Sequence, residues 1–145
     1  MGRFEFREDV VLADSAVEVW GDSLDDLFAT SARAVCRLMA DPASLGSELA
    51  ETVELRAEAL DLLLVDFLSE LLFRKDRDRA LFPEARVRIE ADGEAGPWRL
   101  AAELEGGRVD PERTRRGIDV KAVTLHDLVV ERDGGGWHGR FVVDL

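Results

Sequence analysis

Acidic side chains next to apolar runs are the residues of this sequence best placed to do chemistry. Asp14 lies in the stretch VVLADSAV, and Asp144 lies in the final stretch FVVDL, one residue before Leu145. A carboxylate close to a buried segment needs a partner, because an isolated buried charge is costly. Two side-chain carboxylates and a terminal carboxyl group that lie close together repel one another, so they either take up protons or bind a cation.

Whether these acids come close together depends on the arrangement of the strands that carry them. If those strands meet at one edge of a sheet, Asp14, Asp144 and Leu145 converge on a small volume. A ligand set made only of oxygen atoms favours Ca²⁺, Mg²⁺ or Mn²⁺ over Zn²⁺. Capping and simple solvation are the alternatives to a metal, and the spacing alone leaves all of them open.

Short motifs that mark several common enzyme classes are missing. The sequence has no GxGxxG after a strand, no P-loop and no GxSxG. One cysteine, Cys36, and two histidines, His126 and His138, are too few for a zinc-finger cluster. We interpret Cys36 as a small apolar helix residue. We interpret the histidines as structural hydrogen-bond partners, with a ligand or acid–base role as the alternative.

The composition is that of an acidic globular protein. The chain has 145 residues, 46% of them hydrophobic, and a formal net charge of −12. This favours one domain, residues 1–145, and excludes general disorder. An acidic chain gains nothing from counterion release on a phosphate backbone, so strong direct nucleic-acid binding is not expected. The basic stretches 74–79 and 112–116 are interpreted as solvated loops, with partner docking as the alternative.

The N-terminal stretch MGRFEFREDVVL lacks the pattern of a signal peptide. No apolar run approaches the roughly 20 residues that a membrane span needs. We therefore expect a cytoplasmic protein that does not bind membranes.

Apolar periodicity predicts an α+β fold, with two amphipathic helices packed against antiparallel or mixed sheets. Ser23 with Asp26 resembles a capping box and predicts the start of the first helix, which ends before Pro42. Residues 60–72 predict a central helix that is apolar on more than one side, and therefore covered on more than one side. Alternating stretches predict strands, the last two as a hairpin: 3–8, 15–21, 50–57, 85–91, 97–106, 120–125, 127–132 and 136–145.

Six stretches, in order along nearly the whole chain, resemble the archease family. Archeases are small acidic proteins that assist the RtcB-type tRNA-splicing RNA ligase. The matching stretches are FEF near the start, GDSLDDLF with the later DP, LLVDFLSELLF, VDPER, VKAVTLHDLVV and the terminal FVVDL.

The resemblance implies an archease-like fold and a metal site formed by Asp14, Asp144 and Leu145, with Ca²⁺, or else Mg²⁺ or Mn²⁺, as the ion. Lys121 and His126 match the family's lysine and histidine, and would border this site. The implied function is that of a protein cofactor, not an enzyme. It promotes guanylylation and multiple turnover of an RtcB-type RNA ligase in tRNA splicing and RNA repair.

Four positions depart from the family pattern. Val11 and Leu12 replace a His-Thr pair, Thr114 replaces a histidine, and Leu125 replaces a tyrosine. Two other functions stay open. One is a chaperone-like interaction module with a structural divalent ion. The other is a metal-dependent phosphoesterase. The sequence argues against this enzyme, because no general base and no cationic cluster for a substrate is evident beside the acids.

Overall fold

Two helices pack against two β-sheets in the computed structural model, which describes residues 2–7, 14–94 and 96–145, and for Asp14 the backbone only. The α+β prediction is confirmed. Along the chain the elements are β1 (Arg3–Arg7), β2 (Asp14–Gly21), α1 (Leu24–Met39), β3 (Leu49–Ala57), α2 (Leu60–Asp78), β4 (Ala80–Ala91), β5 (Trp98–Arg108), β6 (Ala122–Asp133) and β7 (Gly136–Asp144).

The strands form a four-stranded sheet in the order β1-β2-β7-β6 and a three-stranded sheet in the order β3-β5-β4. Every strand pair among the described residues is antiparallel, so the mixed alternative is not realised. One apolar core joins both sheets to both helices. Its largest fully buried side chains include Phe28, Phe67 and Phe141.

Helix α1 begins as predicted. The Ser23 hydroxyl accepts a hydrogen bond from the Asp26 amide at 3.1 Å. The Asp26 carboxylate does not complete a capping box; it accepts hydrogen bonds from the amides of Asp22 and Gly2 instead. On the preceding residue, the Asp25 carboxylate accepts a hydrogen bond from the Ile89 amide of β4 at 2.9 Å. The first turn of α1 is therefore capped by Ser23 and also bonded to β4 through Asp25.

Helix α2 is longer than predicted, because the helix continues through the basic stretch to Asp78. The interpretation of residues 74–79 as a solvated loop is therefore wrong. Arg74 donates to the Glu70 carboxylate one turn earlier and to the Thr52 carbonyl of β3. Lys75 and Arg77 lie in the last turn, where cations complement the helix dipole.

The predicted cover on more than one side of α2 is only partly found. Helix α2 contacts both sheets and α1. One line of its surface stays open, because Leu62 is 43% exposed and Phe73 is 51% exposed. The buried face consists of Leu63, Leu64, Phe67, Leu68, Leu71 and Leu72.

Two strands predicted in the last third of the chain are one strand, β6, with an irregularity inside it. The pairing of β6 with β7 shifts register between Thr124 and Val129, and Asp127 has a φ of 51°. Leu125, in this bulge, is 64% exposed. The predicted hairpin is confirmed by the antiparallel pairing of β6 with β7.

Residues 109–121, which we call the strap, connect β5 to β6 across the ends of both helices. Its first amide, that of Val109, donates to the Arg79 carbonyl at 2.8 Å. Further along, Arg115 pairs with Asp41 after the end of α1, and the Gly117 amide donates to the Met39 carbonyl at 2.7 Å. The predicted loop at 112–116 is therefore found, but it is anchored.

Candidate cation site

The structure brings the backbones of Asp14 and Asp144 together. Asp14 is the first residue of β2, Asp144 is the last residue of β7, and the two are partners in the antiparallel register. On its other side Asp144 pairs with Ala122, the first residue of β6. Opposed residues of antiparallel strands have Cα atoms about 4.5–5.5 Å apart. We call this end of the sheet, with Lys121 and Leu145, the tip.

Buried residues next to the tip fix the positions of these acids. Val17 of β2 and Phe141 and Val143 of β7 are fully buried. Both strands are interior strands of their sheet, so neighbours bond them on two sides. Leu145 is half-buried and packs against the core, which holds the main chain after Asp144 in place. The local fold therefore presents two acids at the ends of two well-anchored strands.

The two residues expected to border the site lie differently. The Lys121 amide donates a hydrogen bond to the Asp144 carbonyl at 2.8 Å, so Lys121 is part of the tip. Its side chain is exposed. His126 lies in the bulge of β6, where its ring Nε2 is 3.3 Å from the Asp127 carboxylate. The described contacts of His126 do not include Asp144.

The donor groups of the tip fit a hard divalent cation. Asp144 is half-buried, and among the described residues no side chain donates a hydrogen bond to its carboxylate. The described side chains contain no group of three His, Cys, Asp or Glu able to hold a metal ion. The Asp14 side chain is not among these described side chains. A site here would therefore combine the Asp14 and Asp144 carboxylates with the Leu145 carboxyl group and water, all oxygen ligands.

A charged cluster that sequence reasoning did not identify lies further along the same two strands. The Glu18 carboxylate is 2.8 Å from Nε of Arg7 and 3.2 Å from Nε2 of His138. The other ring nitrogen of His138 is 3.3 Å from Glu131. His138 is thus a hydrogen-bond partner between strands, as interpreted. The alternation of β2 places Glu18 on a polar face, but no sequence signal gives its partners.

Cys36 is buried within α1. Burial raises the pKa of its thiol to about 12, and the nearby charge of Glu84 adds to this. A thiol with such a pKa stays protonated at neutral pH, so Cys36 is not a nucleophile. The interpretation of Cys36 as an apolar helix residue agrees with the structure.

Two open grooves of the described surface lie away from the tip. One of about 470 Å³ lies over the three-stranded sheet between Arg56, Arg88 and Arg99. Another of about 440 Å³ lies beside it, over Ala101. Within the described residues, neither helix is long and apolar enough to cross a membrane.

Solved structures share this arrangement of two helices and two antiparallel sheets. The chain superimposes on the solution structure of Methanobacterium thermoautotrophicum protein 1598 with a TM-score of 0.79 and 28% identity, covering 98% of each chain. It resembles the crystal structure of a Thermotoga maritima archease, described as a possible chaperone, with a TM-score of 0.62, 18% identity and coverage of 97% and 98%. The second likeness concerns the fold alone.

Sequence relatives carry the same family name. The chain is 40% identical over 135 residues to the archease of Methanopyrus kandleri, which covers 92% of this chain and 94% of that one. It is 36% identical over 146 residues to the archease of Thermococcus gammatolerans, with full coverage of both. The model of the archease protein family (MTH1598/TM1083) matches residues 4–145. The chain belongs to the archease family.

Proposed function

We propose that this chain is an accessory protein that activates an RtcB-type RNA ligase in tRNA splicing and RNA repair. It promotes guanylylation of the ligase and its multiple turnover, and does not itself catalyse ligation. The observation that carries the proposal is the pairing of Asp14 with Asp144 at the end of the sheet, in a chain of the archease family.

The tip residues have separate roles in this proposal. Asp14, Asp144 and Leu145 would hold a divalent ion, Ca²⁺ or else Mg²⁺ or Mn²⁺. When bound, such an ion supplies positive charge that stabilises the phosphates of a reacting nucleotide. Lys121 is exposed and bonded through its amide to Asp144, and its ammonium group would contact a phosphate oxygen as a point charge. His126 is exposed in the bulge of β6 and is therefore accessible to a partner.

Charge supports a ligase as the partner. The formal net charge of the chain is −12. An RNA ligase needs a basic surface for its substrate, and complementary charge accelerates the encounter of two proteins. Because salt screens such attraction, the association rate should fall as ionic strength rises.

The departures from the family pattern are compatible with the proposal. Thr114 is buried, and its hydroxyl accepts a hydrogen bond from the Asp110 amide at 2.8 Å. It therefore serves the turn of the strap. Leu125 is exposed and available to a partner. Val11 and Leu12 lie outside the described residues. The proposal assigns activation of the ligase to the residues of the tip, which keep the family pattern.

The test is guanylylation and multiple-turnover ligation by the RtcB-type ligase from the same source, with and without the untagged chain. We expect acceleration at substoichiometric amounts, and its loss in Asp144→Asn. Asp133→Asn is the matched control, because Asp133 lies at the other end of β6. No acceleration of a competent ligase by folded protein contradicts the proposed function. Full activity of Asp144→Asn contradicts the role of the tip.

A second candidate, a chaperone-like interaction module with a structural ion, has one observation in its favour. The described surface exposes large apolar side chains at Leu62, Phe73, Ile118 and Leu125. Suppression of aggregation of unrelated client proteins, together with no effect on the ligase, would replace the first proposal by this one. Metal-dependent hydrolysis of a generic phosphodiester by the pure chain would point instead to a phosphoesterase.

A further inference from the structure

Lys75 is one of the two lysines of the chain, and neither the family resemblance nor the proposed function gives it a role. It lies in the last turn of α2, and its side chain is only 11% exposed. Its ammonium group donates to the Asp119 carboxylate at 2.7 Å and to the Val120 carbonyl at 2.8 Å. It also lies 3.1 Å from the Asp76 carboxylate. The ammonium group therefore donates two hydrogen bonds to residues 119 and 120 and forms an ion pair with Asp76.

The contacts of Lys75 fall on the part of the strap next to the tip. Val120, whose carbonyl it binds, is fully buried. The next residue, Lys121, donates its amide to the Asp144 carbonyl. One peptide unit therefore connects the hydrogen bond from Lys75 to the hydrogen bond that reaches Asp144. Further anchors of the strap, among them those at Arg115, Gly117 and Ile118, hold its middle part against the end of α1.

Loss of the Lys75 ammonium would affect the end of the strap in two ways. The carbonyl of Val120, a buried residue between exposed neighbours, would lose its donor, which is costly. The carboxylates of Asp76 and Asp119, which share the ammonium, would repel each other without it. Both effects weaken the contact of residues 119–121 with α2, although the repulsion is small because both carboxylates are exposed. The Lys121 amide is then held less firmly.

We propose that Lys75 is a positioning residue for the tip. It fixes residues 119–121, so that the Lys121 amide holds the end of β7, and with it Asp144 and Leu145, in the geometry that binds a divalent ion. The inference rests on the cation site of the proposed function. Residues that support metal ligands through hydrogen bonds typically change metal affinity by about 10–100-fold when they are replaced.

The first experiment needs no ion. Hydrogen exchange of the Lys121 amide is followed by NMR in metal-free protein, in wild type, Lys75→Met and Arg77→Met. Arg77 lies in the same helix turn and pairs with Asp78, so it is the matched control. We expect exchange at Lys121 to be at least ~10-fold faster in Lys75→Met, because opening of the strap becomes easier. Unchanged exchange at Lys121 in folded Lys75→Met overturns the proposal.

The second experiment measures binding of Ca²⁺, Mg²⁺ and Mn²⁺ to the untagged chain by calorimetry, with Asp144→Asn as the reference without a site. We expect Lys75→Met to bind about 10-fold more weakly than wild type, Arg77→Met to bind like wild type, and Lys75→Arg to recover part of the affinity. Wild-type affinity in Lys75→Met overturns the proposal. Absence of binding in wild type contradicts the cation site instead, and exchange at Lys121 then decides whether Lys75 holds the strap.

Melting temperatures of all variants are measured alongside both experiments. They distinguish a general loss of stability in Lys75→Met from a local effect on the tip. If Lys75→Met does not fold, Asp119→Asn takes its place, because Asp119 is 63% exposed and its replacement leaves the bond from Lys75 to Val120 intact. We expect this variant to fold and to shift exchange and affinity in the same direction by a smaller factor. No shift in either quantity overturns the proposal.

Discussion

The Glu18 carboxylate of β2 contacts the His138 imidazole of β7, with 3.2 Å between Oε1 and Nε2. Arg7 of β1 donates to the other carboxylate oxygen at 2.8 Å. Burial raises the pKa of Glu18, but the hydrogen bonds from Arg7 and His138 outweigh it and hold the pKa below the ordinary value of 4.5. Three strands of one sheet are thus joined through one ionised side chain.

The lowered pKa of Glu18 predicts a loss of stability in acid. A carboxyl group whose pKa is lower in the folded state stabilises the fold above its unfolded pKa, and this contribution is lost as the pH falls through the folded pKa. At pH 7 we expect Glu18→Gln to unfold with a free energy about 1 kcal/mol lower than wild type. The difference should shrink below pH 4.5.

Urea unfolding from pH 7 to pH 3 measures that difference. Glu131→Gln is the control, because Glu131 contacts the same histidine but is 60% exposed. We expect this variant to differ little from wild type at any pH. A difference between Glu18→Gln and wild type that stays constant across the range would contradict the linkage.

Phe67 lies at the centre of the core. Its side chain is fully buried, and its ring centroid is 6.2 Å from that of Phe28. We expect Phe67→Ala to lower the free energy of unfolding by about 3–5 kcal/mol, because a large buried ring leaves a cavity. Phe73→Ala, on the same helix but 51% exposed, should cost about 1 kcal/mol or less. Equal losses measured by urea unfolding would show that α2 is oriented differently.

Gly117 is required by the close approach of the strap to α1. A Cβ atom at this position would lie 2.3 Å from the Leu38 carbonyl oxygen, a backbone atom that cannot rotate away. We expect Gly117→Ala to lower the free energy of unfolding by about 1–3 kcal/mol. Gly135→Ala is the control, since a Cβ there meets no atom within 4 Å. Thermal melts compare the two, and equal melting temperatures would mean that the strap is not held this closely.

The burial of Cys36 predicts that its thiol is unreactive in the folded protein. With a pKa raised to about 12, almost no thiolate exists at pH 8. We expect a thiol reagent such as 5,5′-dithiobis(2-nitrobenzoate) to label Cys36 only as fast as the protein opens, and fully within minutes in urea. Rapid labelling of the native protein at pH 8 would contradict the placement of Cys36.

Local patterns were sufficient to predict the elements, but their ends depended on contacts distant in sequence. The leucine spacing predicts α2 through Leu72, and the helix continues because Arg74 meets Glu51 and Thr52 of β3. The two predicted strands around His126 are continuous because both pair with β7. The sequence of one segment does not reveal the contacts that extend its helix or strand, because the contacting residues lie elsewhere in the chain.

The same limit applies to the candidate site. Asp14 and Asp144 stand out because each acid follows or precedes an apolar run, and the sheet makes them partners. Their role as metal ligands stays a prediction, as do those of Leu145, Lys121 and His126. Lys75 gives no such signal, because its neighbours along the helix are charged and its acceptors lie in the strap.

The pairing of β2 with β7 has a consequence for how fast the protein folds. On one side β2 pairs with the nearby β1, but on its other side residues 14–21 pair with residues 137–144, near the other end of the chain. The chain loses conformational entropy when two distant segments come together, before the contacts between them form. Proteins with many such distant pairings fold slowly. Until β7 pairs with β2, the backbone hydrogen-bonding groups on that edge of β2 are free to pair with other chains. We therefore expect refolding yield to fall as protein concentration rises, with the four-stranded sheet forming after the three-stranded sheet.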